Sequence, residues 1–391
     1  MPDQAAGSTR APALPSAVLT HHWLVRRRGG EKVLEALARL VPGAPIYTLV
    51  YDAIGMGLSE RGARAADPLA GRAVHTSWLQ RIPGARRHYP RLMPLMASAA
   101  RRMRLPPVEL VLCSDAAVAK AMTADARSRV VCYCHSPPRY AYDAAICAEY
   151  RAALPWAARP VWDWAIPRLR DADRRAAQRV DQFVANSAHV AERIRRWYGR
   201  DSVLVHPPVE LPSQPVHQVG GSGGGARGDH YLCVGYHAPY KRLDLAIEAC
   251  LRLGRRLVVI GEGPGIPSPE RRGEWAQRGI EFRGWCSDEE IRAAYACARG
   301  LLFCGEEDFG IVPVEAIAHG CPVVAYGVGG ATETVQPGVS GVWFDRQEVS
   351  SVVAAMEQLE AIRFDAERMF ESARAFSLER FLEKMQRVLA V

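Results

Sequence analysis

The chain has 391 residues, of which 49% are hydrophobic and 24% charged, a composition typical of a globular protein. Two domains are expected, because one hydrophobic core rarely takes this many residues, and no apolar run reaches the roughly 18–20 residues that cross a bilayer. The net charge of +8 is uneven: residues 1–215 hold 31 Lys and Arg against 18 Asp and Glu, and residues 216–391 hold 19 against 24.

Short apolar runs alternate with amphipathic segments in the first half, after a Pro- and Ala-rich lead (Met1–Ser16) that lacks the apolar core of a secretory signal. We predict this lead to be disordered. Strands are predicted at Ala17–Thr20, Leu110–Cys113, Val130–Cys134 and Gln182–Ala185, and helices at Glu31–Leu40, Arg168–Arg179 and Val190–Tyr198. This alternation is typical of βαβ units on a parallel sheet.

Polar residues follow two of these strands. Gly29 and Gly30 open the first helix and permit a tight turn whose backbone N–H groups face a ligand, although an ordinary turn has the same pattern. His135 follows Cys134, and Arg139 and Asp143 come shortly after it. A single His at a strand end is more often structural than functional, so the pattern alone leaves its role open.

Apolar and basic residues interleave between Thr76 and Pro107. This pattern predicts a basic amphipathic surface near 78–104 that lies on an anionic membrane, and an ordinary helix over the first sheet is the alternative. The basic charge of the first half fits nucleic acid, acidic phospholipid or a phosphate-linked acceptor. It also fits an Arg-rich composition with no charged partner.

The pattern breaks around 211–230, where a Pro-rich stretch and a Gly run predict a flexible linker. Alternation then resumes. Strands are predicted at Tyr231–Gly235, Arg256–Ile260, Gly300–Cys304 and Pro322–Tyr326, and helices at Leu243–Leu253, Glu289–Ala298, Val314–His319 and over most of 348–391. Two α/β halves joined by a hinge predict a cleft, and ligands of such sheets bind at the carboxyl ends of strands.

The segment after the strand Gly300–Cys304 carries the densest polar pattern. Glu307 falls on the strand-to-helix loop and Glu315 in the first turn of the next helix, while Gly310 permits close approach of a ligand to the backbone. Free N–H groups at that helix start favour a diphosphate. A Glu in this place is more often a complement to the helix dipole, and Glu306 and Asp308 are predicted to be such solvated acids.

Two further strand ends precede this segment. Lys241 lies at the turn after Tyr231–Gly235, within reach of a phosphate, and Gly261 follows the strand Arg256–Ile260. In sequence order these motifs are Lys-Arg-x-Asp (241–244), Ile-Gly-Glu-Gly-Pro (260–264), Glu-x₇-Glu (307–315), Gly-x-Pro-Val-Val-Ala (320–325) and Gly-Gly-x-x-Glu (329–333). Over residues 17–390 the chain resembles glycosyltransferase family 4, and in particular its bacterial O-antigen and exopolysaccharide mannosyltransferases.

The resemblance implies the GT-B fold, an α/β architecture of two Rossmann-like domains facing each other across a cleft. The implied boundaries are an acceptor domain (1–212), a linker (213–229), a nucleotide-sugar domain (230–370) and a C-terminal helix (371–391) that packs back toward the first domain. The implied catalytic residues are Glu307, His135 and Lys241. The implied donor-binding residues are Gly29, Gly30, Tyr236, Arg242, Gly261, Trp285, Phe309, Gly310, Ile311 and Glu315, and Arg139 and Asp143 belong to the acceptor side.

One position departs from the family. Many members place an Arg after the Gly that ends the first strand of the second half, and this chain has Tyr236 there. A Tyr hydroxyl donates one hydrogen bond but brings no charge to a diphosphate. Arg242 is adjacent to Lys241 in sequence, but a helix would turn it about 100° away.

The resemblance implies a retaining hexosyltransferase that uses a nucleotide-diphosphate sugar, with GDP-mannose favoured, and no cofactor or metal. A polyprenyl-diphosphate-linked oligosaccharide is the expected acceptor. The expected location is the cytoplasm, peripheral on the inner face of the membrane, with the ten cysteines as buried reduced thiols. The alternatives are a nucleotide-sugar-binding protein with weakened catalysis and a nucleic-acid-binding protein. The latter is disfavoured because no recognition helix or stacking motif is present.

Overall fold

The computed structural model describes residues 16–58, 67–217 and 228–390. Most of the predicted linker and nearly all of the N-terminal lead lie outside these residues. The chain divides into two compact units. The first takes the described residues up to Cys134 together with Tyr140–Tyr142 and Tyr150–Phe183, and the second takes His135–Arg139, Asp143–Glu149 and the described chain from Val184 onward.

Strands and helices alternate in both halves of the chain. The strands are β1 Ala17–His21, β2 Ile46–Thr48, β3 Val74–Thr76, β4 Leu110–Asp115, β5 Arg129–Cys134, β6 Gln182–Ala185, β7 Ser202–Leu204, β8 His230–Val234, β9 Arg256–Ile260, β10 Ile280–Gly284, β11 Gly300–Phe303, β12 Val323–Tyr326 and β13 Gly341–Phe344. The α-helices are α1 Gly29–Leu40, α2 Ala85–His88, α3 Met93–Arg102, α4 Arg139–Tyr142, α5 Ala144–Ala152, α6 Arg159–Ala177, α7 Ala188–Tyr198, α8 Leu243–Leu253, α9 Pro269–Ala276, α10 Asp288–Cys297, α11 Ile311–Ala318, α12 Ala331–Thr334, α13 Val349–Ala361, α14 Ala366–Arg374 and α15 Leu378–Ala390.

The first sheet has seven strands in the order β3-β2-β1-β4-β5-β6-β7. The pairings whose register is described are parallel, and β1 lies between β2 and β4. The strand order therefore reverses at β1, which is the place where doubly wound sheets leave a crevice at their carboxyl edge. At that edge His21 pairs in register with Ser114.

The second sheet has six strands in the order β10-β9-β8-β11-β12-β13 and is also parallel. Its order reverses between β8 and β11. Both faces are covered: Leu232 and Val258 belong to one buried cluster, and Tyr231 and Val259 belong to the other. Near-continuous apolar strands such as β9 are expected where helices pack on both faces of a sheet.

These two parallel sheets confirm the predicted α/β class. The predicted segment around 78–104 forms α2 and α3 with 3-10 turns at Trp78–Arg81 and Tyr89–Leu92. One side of α3 is buried through Met96, Ala99 and Ala100. Among the described residues, no helix combines the length and apolarity that crossing a bilayer requires.

Candidate active site

The loop between β11 and α11 lies at the point where the order of the second sheet reverses. Its backbone is fixed from two sides. The Gly330 N–H donates to the Glu307 carbonyl at 2.9 Å, and a Cβ at Gly305 would lie 2.6 Å from the Lys241 Cα. Only a glycine at 305 lets this loop approach the 3-10 turn Pro239–Lys241 so closely. The sequence thus brings two distant strand ends into contact.

Glu307 and Lys241 form an ion pair at this contact. The Lys241 Nζ lies 2.6 Å from the Glu307 Oε1, and the two side chains are 22% and 19% exposed. A pair that is neither buried nor fully solvated keeps both groups accessible to a ligand while partly excluding water. The ammonium can serve an anionic group, and the carboxylate can accept hydrogen bonds from hydroxyls.

The acids on either side of Glu307 are held by a single arginine. The Arg193 guanidinium on α7 contacts the Asp308 carboxylate and lies 2.9 Å from the Glu306 Oε1. His189 lies 3.2 Å from that same oxygen. The hydrogen bond from His189 and the charge of Arg193 lower the pKa of Glu306 to about 2. The prediction of two solvated acids was therefore wrong, because a helix distant in sequence supplies their partners.

Arg139 lies against the same loop. Its guanidinium donates to the Glu306 carbonyl at 3.0 Å and lies 5.0 Å from the centre of the Tyr240 ring. The structure thus brings Arg139, which was predicted on the acceptor side, to the loop that bears Glu307. Asp143 has a local role: its carboxylate accepts the Ala145 N–H at 3.1 Å, near the start of α5.

His135 is half-buried, directly after β5. Its carbonyl accepts a hydrogen bond from the Asn186 side chain at 2.9 Å. This bond fixes the backbone from which the imidazole projects. The catalytic role of His135 stays a prediction.

A buried histidine borders the ion pair and was given no role by the sequence. His237 is 4% exposed, and its Nε2 lies 3.0 Å from the Ile260 carbonyl. Burial lowers the pKa of His237 to about 4, so the ring is neutral and Nε2 carries the proton near neutral pH. With Lys241 and Glu307 it lines a small cavity of about 20 Å³ that is open to solvent.

Besides Lys241, the residues expected near the diphosphate were Tyr236 and Arg242, and neither brings a free positive charge there. The ring of Tyr236 is 46% exposed. Arg242 has a left-handed backbone (φ 53°) and its guanidinium binds the Asp244 carboxylate at 2.9 Å. Arg242 is therefore neutralised by Asp244 at the start of α8 and does not replace the charge that Tyr236 lacks.

Helix α11 begins one turn earlier than predicted. Gly310 (φ 96°) is its N-cap and Ile311 its first residue, so Glu315 lies in the second turn and not in the first. The ring of Phe309 is buried and packs 5.4 Å from Phe376. Phe309 therefore offers a ligand its backbone rather than its side chain.

Gly261 and Trp285 lie beyond the ends of β9 and β10. A Cβ at Gly261 would be 1.9 Å from the Gly235 carbonyl, so close backbone packing by itself requires a glycine there. Trp285 is 77% exposed. The donor-binding role of both residues stays a prediction.

Glu333 is a site component that the sequence motif contained but to which no role was given. Its carboxylate accepts the backbone N–H groups of Ala188 and His189 at the start of α7, and lies 2.9 Å from the His206 Nε2. Capping α7 in this way fixes the helix that carries Arg193. The Gly-Gly-x-x-Glu pattern was the sequence signal for Glu333, but the groups that its carboxylate contacts could not be known from the sequence.

In the first unit, Gly29 and Gly30 are the first two residues of α1, which starts two residues before the predicted helix. The helix start is fixed by the Glu31 carboxylate, which accepts the Arg28 N–H at 2.9 Å. The buried His21 Nδ1 lies 3.1 Å from the Ser114 Oγ. The contribution of the paired glycines to donor binding stays a prediction.

One group of metal-ligand type occurs among the described residues. The ligand atoms of Cys113, Asp115 and Cys132 lie within 4.8 Å of one another, all buried. Burial would raise the pKa of Asp115, but Lys120, at 2.9 Å, holds it below the usual range. Burial also raises the pKa of Cys132, which keeps its thiol protonated. The group fits a hydrogen-bonded core better than a metal site.

Two protein-family models match the chain in sequence. The model described as Glycosyltransferase Family 4 matches residues 27–211, and the model described as Glycosyl transferases group 1 matches residues 228–361. Between them they include every predicted site residue.

Curated relatives are similar over part of their length. The chain is 34% identical over 190 residues to D-inositol 3-phosphate glycosyltransferase of Streptomyces bingchenggensis, which is 42% of this chain and 41% of that protein. It is 28% identical over 237 residues to GDP-mannose-dependent alpha-(1-6)-phosphatidylinositol monomannoside mannosyltransferase of Mycolicibacterium smegmatis, 55% of this chain and 62% of that protein. The chain thus spans about half the length of the curated relatives it matches.

Solved structures are similar over nearly the whole chain. Sucrose-phosphate synthase from Thermosynechococcus elongatus superimposes with a TM-score of 0.68 at 17% identity, covering 96% of this chain and 98% of that one. Anabaena HepE in complex with UDP and glucose gives 0.64 at 16% identity, covering 96% and 99%. At identities this low, the similarity shows the fold alone. This structural similarity confirms the predicted GT-B architecture.

Proposed function

The chain belongs to glycosyltransferase family 4, and we propose that it moves a hexose from a nucleotide-diphosphate sugar to a glycan or lipid-linked acceptor, with retention at the anomeric carbon. The observation that supports this most directly is the Lys241–Glu307 pair at the switch point of the second sheet. One cation and one carboxylate, both accessible, suit a ligand with a diphosphate at one end and sugar hydroxyls at the other.

In the proposed reaction the bond between the anomeric carbon and the diphosphate oxygen breaks first. Lys241, the start of α1 at Gly29 and Gly30, and the start of α11 stabilise the leaving diphosphate, and an oxocarbenium-like centre forms. The acceptor hydroxyl then attacks from the same face, and its proton passes to the departing phosphate oxygen. Glu307 and His135 orient the sugar, with no covalent intermediate.

Because protein groups carry the charge stabilisation, we propose that no metal is needed, and that EDTA leaves turnover unchanged.

Mannose is the favoured hexose and GDP-mannose the favoured donor. The resemblance to bacterial mannosyltransferases and the similarity to a GDP-mannose-dependent relative support this choice. UDP-glucose is the competing donor, since HepE was solved with it. Thermal-shift titration with both nucleotide sugars decides between them: a donor at 100 times its Kd stabilises the fold by about 2.7 kcal/mol. A shift with UDP-glucose and none with GDP-mannose would reject the mannosyl assignment.

The proposed acceptor is a polyprenyl-diphosphate-linked oligosaccharide of cell-surface polysaccharide synthesis. We place the protein in the cytoplasm, peripheral on the inner face of the membrane through the basic face near 78–104. Exposed Arg86, Arg87 and Arg91 on that face, with Leu95 at 42% exposure, suit an anionic lipid surface.

The decisive test is Glu307→Gln, which keeps the shape of the side chain and removes its charge. We expect turnover of the nucleotide sugar to fall about a hundredfold or more, with a melting temperature within a few degrees of the parent protein. Glu289→Gln, an exposed acid on α10, is the matched control and should leave turnover intact. Turnover of Glu307→Gln near that of the parent would refute the role of Glu307.

A sugar-nucleotide-binding protein with weakened catalysis is the second candidate. Tyr236 in place of the usual Arg, with Arg242 occupied by Asp244, favours it. This candidate would be supported by a thermal shift with a nucleotide sugar but neither transfer nor hydrolysis over hours.

A further inference from the structure

The outward face of the first half of α6 is apolar. Three large side chains are exposed there or in the 3-10 turn just before the helix: Trp156 at 82%, Val161 at 54% and Trp164 at 58%. Val161, Trp164 and Arg168 are spaced i, i+3 and i+7 and so share one side of the helix. We call these four residues, Trp156, Val161, Trp164 and Arg168, the tryptophan face.

This face is not part of the core of the first unit. The opposite side of α6 is buried through Trp162, Ile166 and Leu169. A helix that buries one stripe normally presents polar residues to water on the other, and here the other side presents indole rings. Exposed aromatic residues grouped on one surface, rather than scattered, indicate a surface that contacts something else.

The charge beside the face is positive. The Arg168 guanidinium lies 4.2 Å from the centre of the Trp164 ring and donates to the Trp164 carbonyl at 2.9 Å. Two exposed acids lie on this part of α6: Asp163 is paired with Arg151 at 2.7 Å, and Asp171 lies one turn beyond Arg168. The indole of Trp164 is therefore presented together with a cation that has no carboxylate partner among these contacts.

We propose that the tryptophan face inserts into the interfacial layer of an anionic phospholipid membrane. Indole rings prefer the depth of the lipid headgroups, and an arginine beside them can reach a lipid phosphate while its stem stays apolar. Trp156 lies in the 3-10 turn and Trp164 in the first half of α6, with alanines and prolines beside them in the sequence and no charged residue directly next to Trp156. This contact uses residues apart from the basic face near 78–104 and does not depend on the transfer reaction.

Vesicle binding tests the proposal with the full-length protein. Flotation with vesicles of phosphatidylcholine alone, and with phosphatidylglycerol added, is compared for the parent protein and for W156A/W164A. Each indole would remove on the order of 150–250 Å² from water if fully buried, so partial insertion predicts at least about a tenfold loss of affinity for the anionic vesicles. Trp343→Ala, on an exposed position of β13, is the matched control and should bind like the parent.

Fluorescence quenching by brominated lipid and the oligomeric state separate insertion into lipid from contact with a second copy of the chain. Brominated lipid should quench the fluorescence of the parent protein and of Trp343→Ala, and should quench that of W156A/W164A clearly less. Equal vesicle binding and equal quenching in all three proteins would overturn the proposal. A dimer in the parent that becomes a monomer in W156A/W164A, with vesicle binding unchanged, would assign the face to a second copy of the chain. The double variant should melt within a few degrees of the parent, because both side chains are exposed.

Discussion

At the scale of single residues, the two groups most directly tied to the proposed donor form an ion pair with each other. Lys241 lies 2.6 Å from Glu307, so neither charge is left unpaired beside the buried His237. A diphosphate would draw the ammonium toward itself, and the carboxylate would then accept hydrogen bonds from the sugar. The ion pair thus holds both side chains close to where they are needed and limits the reorganisation on binding.

Arg193 is expected to position Glu307 through the neighbouring acids. Arg193→Ala leaves Glu306 and Asp308 without their shared cation, which should cost about 1–3 kcal/mol of stability. We expect kcat to fall severalfold while KM for the nucleotide sugar changes little, because Arg193 contacts the neighbours of Glu307 and not Glu307 itself. Steady-state kinetics and thermal melts measure both effects.

Arg196→Ala is the control for this prediction, since Arg196 is an exposed arginine on the same helix. It should match the parent in kcat and in melting temperature. A variant Arg193→Ala that melts lower but keeps its kcat would show a purely structural role and reject positioning.

The residues that could be predicted from sequence share one property: they follow strands. Glu307, Lys241 and His135 stand at strand ends, where the parallel-sheet rule places ligands. Arg193 could not be found this way, because on α7 it resembles an ordinary solvent-facing charge. Its partners lie more than a hundred positions further along the chain, and only the folded structure shows that they meet.

At the scale of elements, the eight strands that were predicted lie close to observed strands, but β2, β3, β7, β10 and β13 were not predicted, and helix starts were predicted less well. The prediction for β9 matched the structure, whereas α6 begins at Arg159 and not at Arg168. The missed portion carries the exposed Trp164, whose outward indole breaks the two-sided pattern that identifies a helix. The start of α11 was also missed, because a glycine N-cap in the left-handed region gives no side-chain capping signal.

Helix α13 is attached to the second sheet by a carboxylate. Glu360 lies 2.7 Å from an Arg255 nitrogen and 3.0 Å from an Arg299 nitrogen, and accepts the Tyr231 hydroxyl at 3.0 Å. Burial alone would raise the pKa of Glu360, but these bonds lower it to about 2, from 4.5 in an unfolded chain. The stability from this group is therefore fully present above pH 4.5 and is lost as the pH falls toward 2.

We therefore expect the free energy of unfolding to depend less on pH between 4.5 and 2 in Glu360→Gln than in the parent protein. After allowance for solvent screening, the difference should be about 1–3 kcal/mol across that window. Urea unfolding at several pH values measures it, with Glu357→Gln, an exposed acid on the same helix, as the control. Parallel curves for the parent and Glu360→Gln would contradict the assignment.

At the scale of the whole molecule, charge and fold divide the chain at different places. The first 215 residues carry the positive excess, and the remainder is acidic. The compact units divide elsewhere, since the second unit takes His135–Arg139, Asp143–Glu149 and everything from Val184 that the structure describes. Composition could locate the basic half, but it could not show which segments of that half pack with the later residues.

Arg139, Ser187 and Arg193 precede the glycine run in sequence, yet all three bind the loop 306–308 that follows it. If the gene were divided at codon 212, these three residues and the loop 306–308 that they contact would be on separate polypeptides. We expect the two fragments to be recovered together when co-expressed, and the later one to be insoluble when made alone. Affinity purification through a tag on one fragment, with detection of the other fragment in the eluate, would measure this association.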